Sequence, residues 1–202
     1  MTAARRQEEF SGTDAVRDAH KFDEAKLAAW MEANVAGYAG PLAVEQFKGG
    51  QSNPTFKLTA AGGQQYVLRT KPGPAAKLLP SAHAIDREYR VMDALYKAGF
   101  PVPRQYALCT DESVIGRAFF VMECIEGRVL WEQSPPGMTR EERAAIYDEM
   151  NRVIAQLHSI DYAAIGLADY GKPGNYFARQ IERWTRQYQA SSTEPIPEMD
   201  RL

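Results

Sequence analysis

The chain has 202 residues, 45% of them apolar and 25% charged, which gives a globular protein with one or two cores and excludes collagenous, coiled-coil and low-complexity architectures. Its 24 Lys and Arg against 26 Asp and Glu leave a net charge of −2, so there is no overall positive field to hold a nucleic-acid backbone or an anionic membrane. Cys109 and Cys124 sit in apolar runs and His20, His83 and His158 are scattered, which excludes a disulfide framework and a close-spaced metal set and points to a reducing, cytoplasmic setting.

The start, Met1 to Gly12, carries Arg5 and Arg6 beside Glu8 and Glu9 without an apolar core, and reads as a loose arm rather than a targeting signal. No later run reaches the roughly 18 to 20 apolar residues of a membrane helix. A first helix is expected from Asp23 to Val35, where Asp23 can cap and Leu27, Trp30, Met31 and Val35 recur at helical spacing. From Leu42 to Thr70 the period becomes two, with Leu42, Val44 and Gln46 alternating with Ala43, Glu45 and Phe47, then Phe56, Leu58 and Ala60 alternating with Thr55, Lys57 and Thr59. Gly62-Gly63 marks a hairpin into a third strand, Gln65 to Thr70, with Tyr66 and Leu68 on one face and Val67 and Arg69 on the other.

A helix follows from about His83 to Ala98, closed by Gly99, Pro101 and Pro103, with Ile85, Tyr89, Met92 and Leu95 inward. Two strands are then expected, Gln105 to Cys109 and Phe119 to Cys124. The order βββαββ predicts an α+β unit, a five-stranded antiparallel sheet with one helix against it. Past Gly127 the chain changes character. Ser134-Pro135-Pro136-Gly137 reads as a joint, Thr139 with Glu142 as a capping box, and two helices follow, one carrying Ile146, Tyr147, Met150, Val153, Ile154 and Leu157, the other running from near Asn175 to Tyr188. The resulting division is 1–40 arm and first helix, 41–126 sheet unit, and 127–202 helical part.

Four features could carry chemistry. Gly49, Gly50, Gln51, Ser52 and Asn53 join two antiparallel strands, where glycines let backbone amides approach a phosphate; an ordinary turn has the same composition, and neither dinucleotide nor P-loop fingerprint is present. Arg69 ends the third strand with a planar fork suited to phosphate oxygens, with Lys71 on the same face as a substitute, or it is a solvated strand-end charge. Glu88 lies between Ile85 and Met92 on the inward side of its helix, a costly place for a carboxylate without a cation, and Arg69 is the natural partner. Finally, Phe119 to Gly127 turns from apolar to polar as it leaves the sheet, which either exposes backbone groups at a cleft suited to a flat base or is a buried strand running into a loop.

Their order resembles the amino-terminal lobe of protein-kinase-like folds. The wording Gly49-Gly50-Gln51-Ser52-Asn53, Tyr66-Val67-Leu68-Arg69, Arg87-Glu88-Tyr89-Arg90-Val91-Met92 and Phe120-Val121-Met122-Glu123 is similar to the aminoglycoside phosphotransferase family from about Tyr38 onward. Leu68 to Pro72 and Gly174 to Phe177 resemble the branch related to domains joined to acyl-CoA dehydrogenases. The resemblance implies a kinase-like sheet lobe followed by an incomplete helical lobe, with ATP and Mg2+ as cofactors. Gly49 through Asn53 would cover the ATP phosphates, Arg69 would bind them in place of the usual lysine, Glu88 would hold Arg69, and the backbones of Glu123 and Ile125 would receive adenine.

The family's H-x-D-x-x-x-x-N loop is absent from these residues: in His158-Ser159-Ile160-Asp161 an Ile stands where the Asp belongs, and Asp169-Tyr170-Gly171 reads as a plain turn. The loop and metal ligands are expected beyond Leu202, in a chain cut short before them. The intact architecture would phosphorylate a small-molecule hydroxyl, more in keeping with a hydroxylated acyl metabolite than an aminoglycoside, while this chain alone would bind nucleotide without transfer. The alternative is a noncatalytic module binding nucleotide or a partner through the uncovered helix faces, which also predict self-association.

Overall fold

The computed structural model describes residues 9–49, 53–73, 84–132, 137–194 and 196–201, in two compact units, Met1–Asp161 and Tyr162–Leu202. The first unit is built on β2 (Leu42–Phe47), β3 (Thr55–Ala60), β4 (Gln65–Thr70), β5 (Gln105–Cys109) and β6 (Phe119–Glu123), preceded by a two-residue β1 (Thr13–Asp14). All six strands pair antiparallel in the order β1-β2-β3-β4-β6-β5, so β6 inserts between β4 and β5. The β3–β4 hairpin turns through Gly63, whose φ of +81° a side chain would strain.

The period-two pattern becomes burial directly. Phe56 and Leu58 on β3, Tyr66 and Leu68 on β4, and Phe119 and Val121 on β6 form the core with Leu27 and Met31 of α1 (Glu24–Asn34). The Asp23 carboxylate caps α1 by accepting from the Lys26 amide at 3.0 Å, and the Trp30 ring meets Phe119 edge-on at 4.8 Å. The opposite face of the sheet receives α2 (Ile85–Lys97), where Tyr89 meets Phe120 at 5.9 Å. The sheet therefore carries a helix on each face where one was expected. Helical spacing shows that α1 must lie on something, but not which face it covers.

The sheet also has six strands rather than five, and the residues just after the expected loose arm are tied to it. Thr13 pairs with Phe47 and Asp14 with Gln46, and buried Gln46 accepts from the Arg17 amide at 3.2 Å and meets the His20 ring at 2.8 Å. A two-residue strand has no alternation to detect, which is why periodicity misses it. Phe22 then packs edge-on against Phe56 at 5.2 Å, and the buried Arg117 guanidinium donates to the His20 carbonyl at 2.8 Å. Burial pulls the Arg117 pKa below the ordinary arginine value.

The last helix of this unit, α3 (Arg140–His158), opens with the expected capping box: the Glu142 amide donates to Thr139 Oγ1 at 3.2 Å, and the Thr139 amide to Glu142 Oε2 at 2.7 Å. The second unit carries α4 (Tyr176–Ser191) and the short α5 (Pro197–Asp200). Before α4, Asn175 takes a left-handed conformation at φ 49°, and 169–171 form turn and bend. Positions 50–52, 134–136 and His83, named in the sequence reading, lie outside the described residues. Truncating Phe56, fully buried and the ring on which Phe22 rests, should lower stability by about 3–5 kcal/mol in Phe56→Ala, read by urea unfolding.

Candidate functional site

Side-chain direction on β4 decides where the site lies. Tyr66 and Leu68 point into the core under α1, so Arg69 emerges on the face that α2 covers, and α2 brings Glu88 to it. The Arg69 Nε donates to Glu88 Oε2 at 2.5 Å and Nη2 to Glu88 Oε1 at 3.4 Å, a side-on fork. Both side chains keep about a third of their surface exposed, 31% for Arg69 and 34% for Glu88. The pair is therefore screened on one side and its value lies in geometry more than in net Coulomb energy.

Two further residues close the arrangement. Asn53, at the exit of the glycine segment and 5% exposed, donates from Nδ2 to Glu88 Oε1 at 2.9 Å. Thr55, directly across the ladder from Arg69, accepts from Arg69 Nη1 at 3.2 Å and donates to the Asn53 carbonyl at 3.1 Å. Asn53, Glu88, Arg69 and Thr55 thus form a closed hydrogen-bonded ring joining the glycine segment, β3, β4 and α2. Three of the five Arg69 N–H donors are used within it, leaving one on each Nη unused among the described residues. Lys71 shares the face, but Arg69 is the cation that holds Glu88.

At the start of the glycine segment a Cβ on Gly49 would stand 3.4 Å from the Phe10 carbonyl oxygen, an ordinary van der Waals contact. Gly50, Gln51 and Ser52 lie outside the described residues, and nothing places them against Arg69.

The strand exit lies on the neighbouring strand. Arg69 is opposite Phe120 and Tyr66 is opposite Glu123, so three residue steps, about 10 Å, separate the cation from the end of β6. The Glu123 amide donates to the Arg104 carbonyl at 2.8 Å, and the Glu123 carboxylate accepts from the Arg104 amide at 3.1 Å. Two residues on, Ile125 is 58% exposed, and its amide donates to no acceptor among the described residues. An unfilled amide at the end of the sheet and a guanidinium with two spare donors along it suit a ligand that is flat at one end and anionic at the other.

Among the described residues no group of three or more His, Cys, Asp or Glu gathers to hold a metal ion.

Thr55 was the one member of the ring that the sequence reading missed. Its signal was the hairpin register: a turn centred on Gly62-Gly63 puts Thr55 opposite Arg69.

Residues 43–202 match the family model described as the phosphotransferase enzyme family. The chain is 46% identical over 187 residues to acyl-CoA dehydrogenase family member 11 of Rattus norvegicus, covering 91% of this chain and 24% of that protein. It is 48% identical over 163 residues to acyl-CoA dehydrogenase family member 10 of Mus musculus, covering 81% of this chain and 15% of that protein. Among solved structures, a Ralstonia eutropha protein provisionally named an aminoglycoside phosphotransferase is 65% identical with a TM-score of 0.74, over 89% of this chain and 51% of that one. The chain belongs to the phosphotransferase enzyme family. It spans about a quarter of the length of the member 11 relatives. Its six-stranded antiparallel sheet with the helices packed on it matches the amino-terminal lobe of a kinase-like phosphotransferase.

Within this phosphotransferase lobe the cysteines are not nucleophiles in waiting. Burial pushes the Cys109 and Cys124 thiols up, more than backbone hydrogen bonding at Asp111 lowers the first or the Lys57 charge the second. A raised thiol pKa means less thiolate at neutral pH. Iodoacetamide should modify both more slowly than free cysteine at pH 7, the gap narrowing as pH rises past the ordinary thiol range, read by mass spectrometry.

Proposed function

We propose that this chain is the ATP-binding part of a phosphotransferase that phosphorylates a hydroxyl of a small molecule. The observation that carries the reading is the closed ring of Asn53, Glu88, Arg69 and Thr55, which fixes a guanidinium with two donors left over among the described residues, on the strand beside the one that leads to Ile125. Arg69 takes phosphate oxygens with its spare Nη donors, Glu88 and Thr55 hold its plane, and Asn53 ties the glycine segment to the same carboxylate. The backbones of Glu123 and Ile125 receive the adenine edge. ATP supplies the phosphoryl group when bound; the chain's own residues bind it and orient it.

Transfer needs a group to orient the acceptor hydroxyl, and the stretch His158 to Asp161 puts Ile160 where an aspartate would be required. We therefore assign nucleotide binding, not turnover, to these 202 residues. The acceptor class favoured is a hydroxylated acyl compound, because the curated relatives are named as acyl-CoA dehydrogenase family members. No helix among the described residues is long and apolar enough to cross a membrane.

A second reading, a partner-binding module, is favoured by α4, which presents Phe177 at 80%, Ile181 at 68% and Trp184 at 64% exposure along one helical stripe. Light scattering that grows with concentration, and is lowered by Phe177→Glu, would support it; a monodisperse monomer would sink it.

Calorimetric titration of the chain with ATP and magnesium is expected to show binding that Arg69→Ala abolishes and Glu88→Gln weakens about tenfold. The second figure corresponds to losing about 1.4 kcal/mol of charge-assisted bonding. Binding unchanged by Arg69→Ala would overturn the assignment.

A further inference from the structure

The glycine segment is held at both ends, and only one of the holds belongs to the ring around Arg69. At its exit, Asn53 is tied to the Glu88 carboxylate. At its entry the hold comes from residues 10–17, the first three of which fall in the stretch expected as a loose arm. The Lys48 amide donates to the Gly12 carbonyl at 3.2 Å, and Arg17 Nη2 donates to the Lys48 carbonyl at 3.5 Å. Gly49 follows with the Phe10 carbonyl oxygen at its Cα, where a Cβ would be in van der Waals contact with it.

Gly12 takes a φ of +82°, a conformation that favours glycine, and so turns the backbone just before β1 begins. On the far side of that turn the half-buried Phe10 ring stacks on the Trp131 indole, with centroids 4.4 Å apart and planes at 19°. Trp131 follows the strand exit, eight residues past Glu123, and is 46% exposed. It is not an isolated ring on a loop. With Leu130 it lines an apolar cavity of about 180 Å³ whose other wall is Ile146, Tyr147 and Met150 of α3. Three residues of the arm therefore connect the entry of the glycine segment to the chain beyond β6 and, through it, to α3.

We infer that residues 10–12 are a strap and that Phe10 is a positioning residue for nucleotide binding: by stacking on Trp131 it fixes the entry of the glycine segment against the chain that follows the strand exit. Phe10 acts through Gly12 and Lys48 and does not touch the ligand. A segment fixed at Asn53 alone has one end free, and that freedom is lost when a ligand binds; with Lys48 held as well, less remains to be lost and binding is tighter. This inference rests on the nucleotide reading above and adds to it a role for an aromatic pair that the sequence did not single out.

The test uses the full 202-residue chain and two readouts, exchange of the Lys48 amide followed by NMR and ATP affinity followed by calorimetry. Phe10→Ala should speed Lys48 exchange and weaken ATP binding, each about three- to tenfold, the range that one aromatic pair is worth. Exchange at the core amide of Leu68 should stay as it was, which separates a released strap from general loosening. Trp131→Ala should do the same as Phe10→Ala, and the double variant should be no weaker than either single one, because both remove one contact. Phe10→Tyr keeps the stacked ring and should restore both readouts to within about twofold. Unchanged Lys48 exchange in Phe10→Ala, losses that add in the double variant, or a tyrosine variant that falls with the alanine one overturns the strap. Faster exchange with unaltered ATP affinity overturns the positioning role while leaving the nucleotide reading intact. Absence of ATP binding by the unaltered chain overturns that reading and the positioning role with it, and Lys48 exchange then decides the strap alone.

Discussion

The site depends on one carboxylate in an unfavourable place. Glu88 sits on the sheet-facing side of α2, where desolvation would be costly for a lone anion, and it is stabilised by three donors, two from Arg69 and one from Asn53. Those donors come from segments far apart in sequence, so satisfying one charge fixes α2, β4 and the exit of the glycine segment relative to one another. Thr55 completes the constraint by joining Arg69 to the Asn53 backbone. Removing any member leaves another polar group half-satisfied in a region only partly open to water. The four behave as a unit for that reason.

The strand order then does for the ligand what the ring does for the chain. Had β5 followed β4 in space as well as in sequence, the strand exit at Glu123 would have stood one strand further from Arg69. The insertion of β6 between β4 and β5 puts both on adjacent strands, with Arg69 opposite Phe120 and Glu123 opposite Tyr66. The same insertion gives β6 two different neighbours, one that consumes its alternate backbone groups and one, β5, whose pairing shifts register between Gln105 and Ala107. The irregular side is where Arg104 meets Glu123.

Much of this was legible in the sequence because it follows from period. Alternation along β4 separates Tyr66 and Leu68 from Arg69, and the helical period puts Glu88 inward between Ile85 and Met92; an inward anion and an emerging cation on neighbouring elements require each other. Composition could not show what has no period. β1 is two residues long, the face that α1 covers is a matter of chain reversal rather than spacing, and Thr55 enters through a register that had to be counted back from the hairpin turn.

That the cation is arginine follows from the same geometry. A lysine offers three donors at one point, and to hold Glu88 it would have to direct most of them at the carboxylate, with little left for Thr55 and a ligand. The guanidinium spreads five donors around a plane. Nε and one Nη edge grip Glu88 side-on, Nη1 reaches Thr55, and the remaining donors stay in the same plane, held there by the bonds behind them. An anion approaching that edge meets a charge already oriented, so little side-chain freedom is lost on binding. The kinase-like lobe here therefore couples the Arg69 guanidinium to the exit of its glycine segment by hydrogen bonds, and a change in conformation at Asn53 reaches Arg69 through the Glu88 carboxylate it shares.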